Sequence, residues 1–310
     1  YIGFRAMVCF PRSLVDVFPM DSETKSCSSH TRWWSEETVA VVTGANKGIG
    51  LALVKRLAQL GLTVVLTSRD VGRGLTAVES LRARGLHVEF CQLDVAEQES
   101  IEAFVSWLRD RFRVLDILVN NAGVSFSRVD ENSVKHAETV IRTNFYGPKR
   151  LTEALLPFFR RSPTRSRVLN ISSQLGLLSR VRDPQLKATL RDEEKLSEEV
   201  IEGMLAAFLA QVEEGTWREG GWPRVWTDYA MSKLALNAYS RLLARRHQGE
   251  GLAINCFCPG YTRTAMTGGL GDHTAEEASE VAAQLVLMPT AQLPTGKFFK
   301  WGIPVVYSAL

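Results

Sequence analysis

The chain has 310 residues, 45% of them hydrophobic and 23% charged; that is enough apolar content for a sizeable core and too much for global disorder. Its 37 Lys and Arg against 34 Asp and Glu leave a formal charge of +3, which, without any long basic run, excludes a typical nucleic-acid-binding protein. No stretch reaches the roughly 20 apolar residues that span a bilayer, and five cysteines without a C-x-x-C pair fit a reduced intracellular compartment better than a disulfide framework.

Residues 1–36 read as a poorly ordered tail. The chain opens on Tyr1, as a fragment or a translated upstream region would, and Met20 is a candidate start. Residues 1–34 break their one apolar stretch at Cys9-Phe10-Pro11, unlike a secretory signal, and carry acids, unlike a transit peptide. From Glu37 onward strand-like and helix-like segments alternate. Val39–Val42 is a short buried strand, and a helix runs from Gly48 to Leu60 with Ile49, Leu53, Leu57 and Leu60 on one side. Between them lies Thr43-Gly44-Ala45-Asn46-Lys47-Gly48-Ile49-Gly50. A strand, a glycine turn and a helix N-terminus together form an anion site suited to a pyrophosphate. Gly44 permits the tight turn, Gly48 lets phosphates approach, and Gly50 lets the helix pack on the sheet.

Thr63–Thr67 is the second strand, and Ser68 and Arg69 follow it. An NAD site places a carboxylate near this point to bond the ribose 2′-hydroxyl. Here Ser68 stands there, with Arg69 beside it and Lys47 in the glycine turn; two cations and no strand-end carboxylate predict a 2′-phosphate, hence NADPH. Asp70 is adjacent and reads as a helix cap; for Arg69 the alternative is a solvated surface charge. A helix over 72–84 and a strand over 86–93 end at Asp94, which can touch an adenine or cap the next helix, predicted over 97–112. Leu115–Val119 is the fourth strand, a long helix is expected from about His136 to Phe159, and Val168–Ile171 is the fifth strand.

The alternation pauses from about 174 to 227. Leu196, Val200, Met204, Phe208 and Val212 recur every four residues, the mark of an amphipathic helix inserted into the plan. Helix resumes over Asp228–Arg246, strand over Ala253–Cys258, helix over 274–288, and a last short strand over Phe298–Trp301. These near-continuous apolar strands predict an α/β fold: a doubly wound parallel sheet with helices on both faces, forming one domain over 37–310. Ligands of such sheets bind beyond the carboxyl ends of the strands, where every polar motif here falls.

Tyr229 and Lys233 stand four residues apart, on one face of a helix. A phenol is a proton donor with a free pKa of about 10; a nearby ammonium favours phenolate and lowers that value toward working pH. Ser172 and Ser173, after the fifth strand, offer a hydroxyl to polarise a carbonyl. The five histidines show no metal-ligand spacing, and no metal is expected.

The motifs Thr43–Gly50, Asn120-Asn121-Ala122-Gly123, Asn144, Ser173, Tyr229 with Lys233, and Pro259-Gly260 occur together and in order. Over about residues 37–301 the chain resembles the short-chain dehydrogenase/reductase family, of the classical rather than the extended type, whose sheet is a Rossmann fold. The resemblance implies a catalytic tetrad of Asn144, Ser173, Tyr229 and Lys233: Tyr229 as proton donor, Ser173 as partner of the carbonyl oxygen, Lys233 lowering the phenol pKa and holding the nicotinamide ribose, and Asn144 keeping a water that links Lys233 to solvent. It favours Ser173 over Ser172, places Asn120 to Gly123 on the adenine-ribose side, and sets Thr262 against the nicotinamide carboxamide with Thr264 nearby. Asn46, Ile49 and Val95 complete the expected cofactor contacts. Ser173 and Tyr229 lie 56 positions apart (229 minus 173). This insertion, with Trp226-Thr227-Asp228-Tyr229 and Cys256-Phe257-Cys258, is similar to the monomeric carbonyl reductases and the plant menthone and salutaridine reductases. It implies a cytoplasmic monomer reducing a small-molecule carbonyl compound, with no nucleic-acid or membrane partner. A dedicated terpenoid or alkaloid ketone reductase, and a non-catalytic NADP(H)-binding protein, are the alternatives. Trp217, Trp222 and Trp226 either wall the pocket or pack the inserted helix; Phe126, Phe145 and Tyr146 are open in the same way.

Overall fold

The computed structural model describes residues 32–126, 134–162, 166–301 and 303–305. The tail reading therefore lies, up to residue 31, outside the described residues. Among the described residues, eight strands form one sheet in the order β3-β2-β1-β4-β5-β6-β7-β8: β1 Val39–Val42, β2 Thr63–Ser68, β3 Val88–Gln92, β4 Ile117–Asn120, β5 Ser166–Ile171, β6 Leu252–Cys258, β7 Phe298–Lys300 and β8 Ile303–Val305. β1 through β7 pair in parallel. Strand order reverses at β1, which lies between β2 and β4, and a crevice opens at such a switch point.

Strands β1, β4, β5 and β6 are buried along their whole length, because both faces carry helices. Helices α1 (Gly48–Gln59), α2 (Val71–Arg82) and α9 (Ala275–Leu287) bury Leu53, Val54, Leu57, Val78, Leu81, Ala282 and Val286 against one face. On the other, α3 (Gln98–Arg111), α4 (Val134–Ile141), α5 (Gly147–Leu155) and α8 (Thr227–Arg246) bury Ile101, Phe104, Leu108, Leu151, Leu155 and Leu234. At about 1.5–3 kcal/mol per fully buried large apolar side chain, this two-sided burial is the main term holding the layers together.

Four elements depart from the sequence reading. The long helix expected over 136–159 is split: α4 ends at Ile141, Arg142–Tyr146 is a π turn, and α5 starts at Gly147. Pro148 lacks the N–H that an uninterrupted α-helix would offer to the carbonyl of Asn144, so the ladder widens there. The insertion holds two helices, α6 (Pro184–Arg191) and α7 (Glu198–Glu214), where one was expected. Asp183 caps α6 by accepting from the N–H groups of Gln185 and Leu186, and Pro184 opens it, a start signal present in the sequence. The sheet is not wholly parallel: β8 pairs antiparallel with β7, and Trp301, just after β7, takes a left-handed φ of 50°. Finally, Trp33 and Trp34, assigned above to the tail, dock on the sheet layers. Their indole N–H groups donate to the carbonyls of Leu287 (3.0 Å) and Leu60 (3.3 Å), and the Arg167 guanidinium lies 3.4 Å over the Trp33 ring.

Helix α7 buries Ile201, Met204, Leu205, Phe208 and Val212. Lys149 of α5 fastens its start, with Nζ 2.7 Å from Glu198, 3.3 Å from Glu153 and 3.4 Å from Glu202. Tyr239 of α8 donates to Glu153 at 2.8 Å, so α5, α7 and α8 share one polar cluster.

Candidate active site

The crevice beyond β1 and β4 has a volume of about 700 Å³. Its floor is the glycine turn. Gly44 and Gly48 adopt φ of +60° and +58°, a region L-residues avoid. A Cβ on Gly44 would stand 2.8 Å from the Ala122 Cα, and one on Gly50 would stand 2.4 Å from Asn121 Nδ2. The Thr43 hydroxyl accepts the N–H groups of Asn121 and Ala122, both at 3.0 Å. Asn121 Nδ2 donates back to the carbonyls of Thr43 (2.9 Å) and Gly44 (3.1 Å), locking the turn to the end of β4. No side chain caps α1 and no acid stands in its first turn, so its leading N–H groups face the crevice available to an anion. Asn120, expected beside Asn121, points the other way. It is buried and its Nδ2 donates to Thr152 Oγ1 (3.1 Å) and Asn170 Oδ1 (2.8 Å), joining β4 to β5 and α5. Strand alternation sends neighbouring side chains to opposite sides.

Ser68, Arg69, Asp94 and Val95 line the far end with Lys47. Lys47 and Arg69 are exposed, and neither head group has a side-chain partner among the described residues. Asp70 caps α2, accepting the Arg73 N–H at 2.8 Å. Arg73, which sequence reasoning passed over, is a third cation on this wall, 3.6 Å from Asp70; its position one turn after Arg69 was the available signal. Asp94 lines the crevice but does not cap α3, whose N-cap is Glu97; its carboxylate instead accepts the Ala96 N–H at 3.0 Å, in the turn before that helix.

At the near end, β5 delivers Ser173 and α8 delivers Tyr229 and Lys233. Ser173 lines the crevice beside Tyr229 and acts to lower the phenol's pKa, and its side chain accepts the Leu175 N–H at 3.1 Å. Ser172 is the structural serine: buried, it donates to Asn237 Oδ1 at 2.6 Å, and Asn237 Nδ2 donates to the Gly176 carbonyl at 2.9 Å. Gly176 is required there, since a Cβ would stand 2.4 Å from the Lys233 carbonyl carbon. Lys233 Nζ donates to the Ile171 carbonyl at 2.8 Å and lies 5.6 Å from the centre of the Tyr229 ring.

The electrostatics correct one expectation. Burial pushes the Tyr229 phenol above its ordinary range, and the neighbouring Cys258 thiol adds to this, against a lowering influence of Ser173. Burial also lowers Lys233 to about 8. Lys233 donates instead to the Ile171 carbonyl, and the phenol's shift is set by loss of solvent rather than by the ammonium.

Like Asn120, Asn144 and Gly50 are expected site residues that do not line the crevice. Asn144 sits in the π turn, fully buried. Its Nδ2 donates to the Val124 carbonyl (2.9 Å) and Ser232 Oγ (3.1 Å), and its Oδ1 accepts the Val124 N–H (2.8 Å). Ser232 donates in turn to the Tyr229 carbonyl at 2.7 Å, so Asn144 braces α8 from behind.

The mouth is closed by Tyr261–Thr267 after Pro259 and Gly260. Thr262 donates to the Pro259 carbonyl at 2.9 Å, and a Cβ on Gly48 would meet the Thr264 methyl at 3.5 Å. Trp217 and Trp222 are buried in the insertion, Trp222 against Phe208 with its N–H on Gln211 (2.8 Å). Trp226 lines the crevice. Phe145 is core, Tyr146 packs beside it, and Phe126 is exposed and stacks on His136.

A doubly wound sheet with an anion-binding glycine turn and a serine–tyrosine–lysine set defines a dinucleotide-dependent oxidoreductase. The family model "short chain dehydrogenase" matches residues 38–185 and 221–275, its gap falling on the inserted helices. Short-chain dehydrogenase/reductase 1 of Saponaria officinalis is 39% identical over 289 residues, covering 86% of this chain and 94% of that protein. Human carbonyl reductase (NADPH) 1 is 37% identical over 268 residues, covering 84% and 95%. The solved structure of salutaridine reductase from Papaver somniferum superposes with a TM-score of 0.79 at 34% identity, covering 84% of this chain and 99% of that one. The chain belongs to the short chain dehydrogenase family.

Proposed function

We propose that this protein reduces aldehydes or ketones to alcohols with NADPH. The observation that carries the reading is that Ser173, Tyr229 and Lys233 line the same crevice as the uncapped glycine turn. The residues present fit the cofactor. Gly44 and Gly48 leave the floor free of side chains, the α1 N–H groups suit a pyrophosphate, and Lys47 and Arg69 suit a 2′-phosphate, with Ser68 rather than a carboxylate at the end of β2. Asn46, Ile49, Asn121 to Gly123, Pro259, Gly260, Thr262 and Thr264 complete its walls. NADPH, when bound, supplies a hydride. Ser173 orients the carbonyl oxygen, and Tyr229 gives its proton to that oxygen as negative charge develops. Lys233, still largely charged at neutral pH with its value near 8, stabilises the phenolate left behind, and Asn144 keeps α8 in register through Ser232.

Steady-state oxidation of NADPH on addition of a reactive aldehyde tests the reading. Turnover with NADPH well above that with NADH is expected, and tight NADPH binding without turnover would favour a non-catalytic binder. A narrower role, reduction of one terpenoid or alkaloid ketone, draws on the apolar rim formed by Val225 and Met266 and on the likeness to salutaridine reductase; a screen of aldehydes against cyclic ketones separates the two.

The fold bears on assembly. Helix α7 lies over α4 and α8 and fills that face with its apolar side, so the protein is a monomer in this reading. Light scattering during gel filtration checks it, and a dimer or tetramer mass would refute it. No helix among the described residues is long and apolar enough to cross a membrane. Cys91 and Cys258 form no disulfide, in keeping with a cytoplasmic location that a fluorescent fusion would test.

A further inference from the structure

Among the described residues, four other than glycine take positive φ, and of these Trp226 alone lines the crevice. Its backbone is left-handed, φ 49° and ψ 57°, a conformation that is rare and costly for a bulky residue. Strain of this kind persists where surrounding structure enforces it and gathers at functional sites. Here the Ala230 N–H holds the Trp226 carbonyl at 2.7 Å. The left-handed turn takes the chain from exposed Val225 to buried Thr227 in one residue. It also sets the indole against the Tyr229 phenol, ring centres 6.2 Å apart and planes at 80°. The indole neither caps α8 nor belongs to the buried core, unlike Trp217 and Trp222. The indole is half-exposed, and the crevice it lines beside the proton donor also carries the apolar Leu175, Val225 and Met266.

Any carbonyl compound whose oxygen meets Tyr229 must lay its carbon skeleton in this neighbourhood. A rigid indole presents a flat π surface. It gains dispersion and quadrupole contacts with a planar group that a puckered saturated ring does not match. We propose that Trp226 is a specificity-determining residue, a flat wall that selects aromatic or conjugated aldehydes and ketones over saturated ones of equal size. This rests on the reductase reading above.

The test uses benzaldehyde and cyclohexanecarbaldehyde, which match in size and differ in flatness. Trp226→Asn removes the ring while keeping a residue that tolerates the left-handed backbone; Trp226→Phe keeps a flat ring. The ratio of kcat/KM for benzaldehyde to that for its saturated partner is expected to fall roughly fivefold or more in the Asn variant, mainly through KM, and to be largely restored in the Phe variant. An unchanged ratio in the Asn variant, or an equal fall in both variants, overturns the proposal. Should the Asn variant not fold, the wild type alone decides through dead-end inhibition: benzamide is expected to bind roughly fivefold tighter than cyclohexanecarboxamide, and equal inhibition constants overturn it. A wild type that binds NADPH and reduces neither aldehyde removes the reductase reading, and the wall falls with it; turnover without discrimination removes only the wall.

Discussion

Replacing Tyr229 with Phe is expected to lower kcat for carbonyl reduction by about a thousandfold, within the 10²–10⁴ that a positioned proton donor contributes, with NADPH affinity held within about twofold. The substitution removes one oxygen. It leaves the ring that packs against Trp226 and the α8 backbone that holds Lys233 on Ile171, so the loss belongs to chemistry rather than to folding. The measurement is kcat from NADPH oxidation beside a fluorescence titration of NADPH. A variant that keeps wild-type turnover would dismiss Tyr229 as the donor. The pH profile follows from the same environment. Burial raises the Tyr229 phenol, so the donor stays protonated through the neutral range, as reduction requires. Burial lowers Lys233 to about 8, so its ammonium is present below that pH and lost above it. Reduction is therefore expected to be flat toward neutral pH and to decline above about pH 8 as the phenolate loses its counter-charge.

How much of this was legible beforehand divides by interaction range. The glycine turn was legible because three constraints act on adjacent residues: strand end, left-handed turn and helix start. Tyr229 and Lys233 were legible as a pair because helical spacing is local. Asn120 was misplaced because which way a strand's last side chain points depends on register with β5 and α5, a long-range matter. The π turn at Asn144 had a local cause in Pro148, hidden by the apolar rhythm on either side. The direction of the Tyr229 shift could not be read from spacing at all. It is set mainly by the depth of burial, which appears only once α8 is packed into the fold. Trp226 shows the same limit: three tryptophans precede α8, and only tertiary packing separates the two that fill the insertion from the one that faces the crevice.

The second large effect concerns the far end of that crevice. Arg69→Asp is expected to shift the ratio of kcat/KM for NADPH to that for NADH by about a hundredfold toward NADH. A charge-assisted contact to phosphate contributes about 1.5–3 kcal/mol, and placing a carboxylate there adds repulsion of the 2′-phosphate and an acceptor for the 2′-hydroxyl. At 1.4 kcal/mol per decade, two decades need about 2.8 kcal/mol, within reach of loss and reversal together. Arg69 is exposed at the end of β2 and its head group is not tied to another side chain, so the exchange disturbs no native contact and the fold should tolerate it. Lys47 and Arg73 remain on the same wall, which is why NADPH use is expected to weaken without vanishing. Raising ionic strength should weaken NADPH binding by the wild type more than by the variant, since a solvent-facing cation–phosphate contact is screened by salt. Unchanged relative kcat/KM for the two cofactors would mean that Arg69 does not meet the 2′-phosphate, and Lys47 and Arg73 would then be the groups that read it.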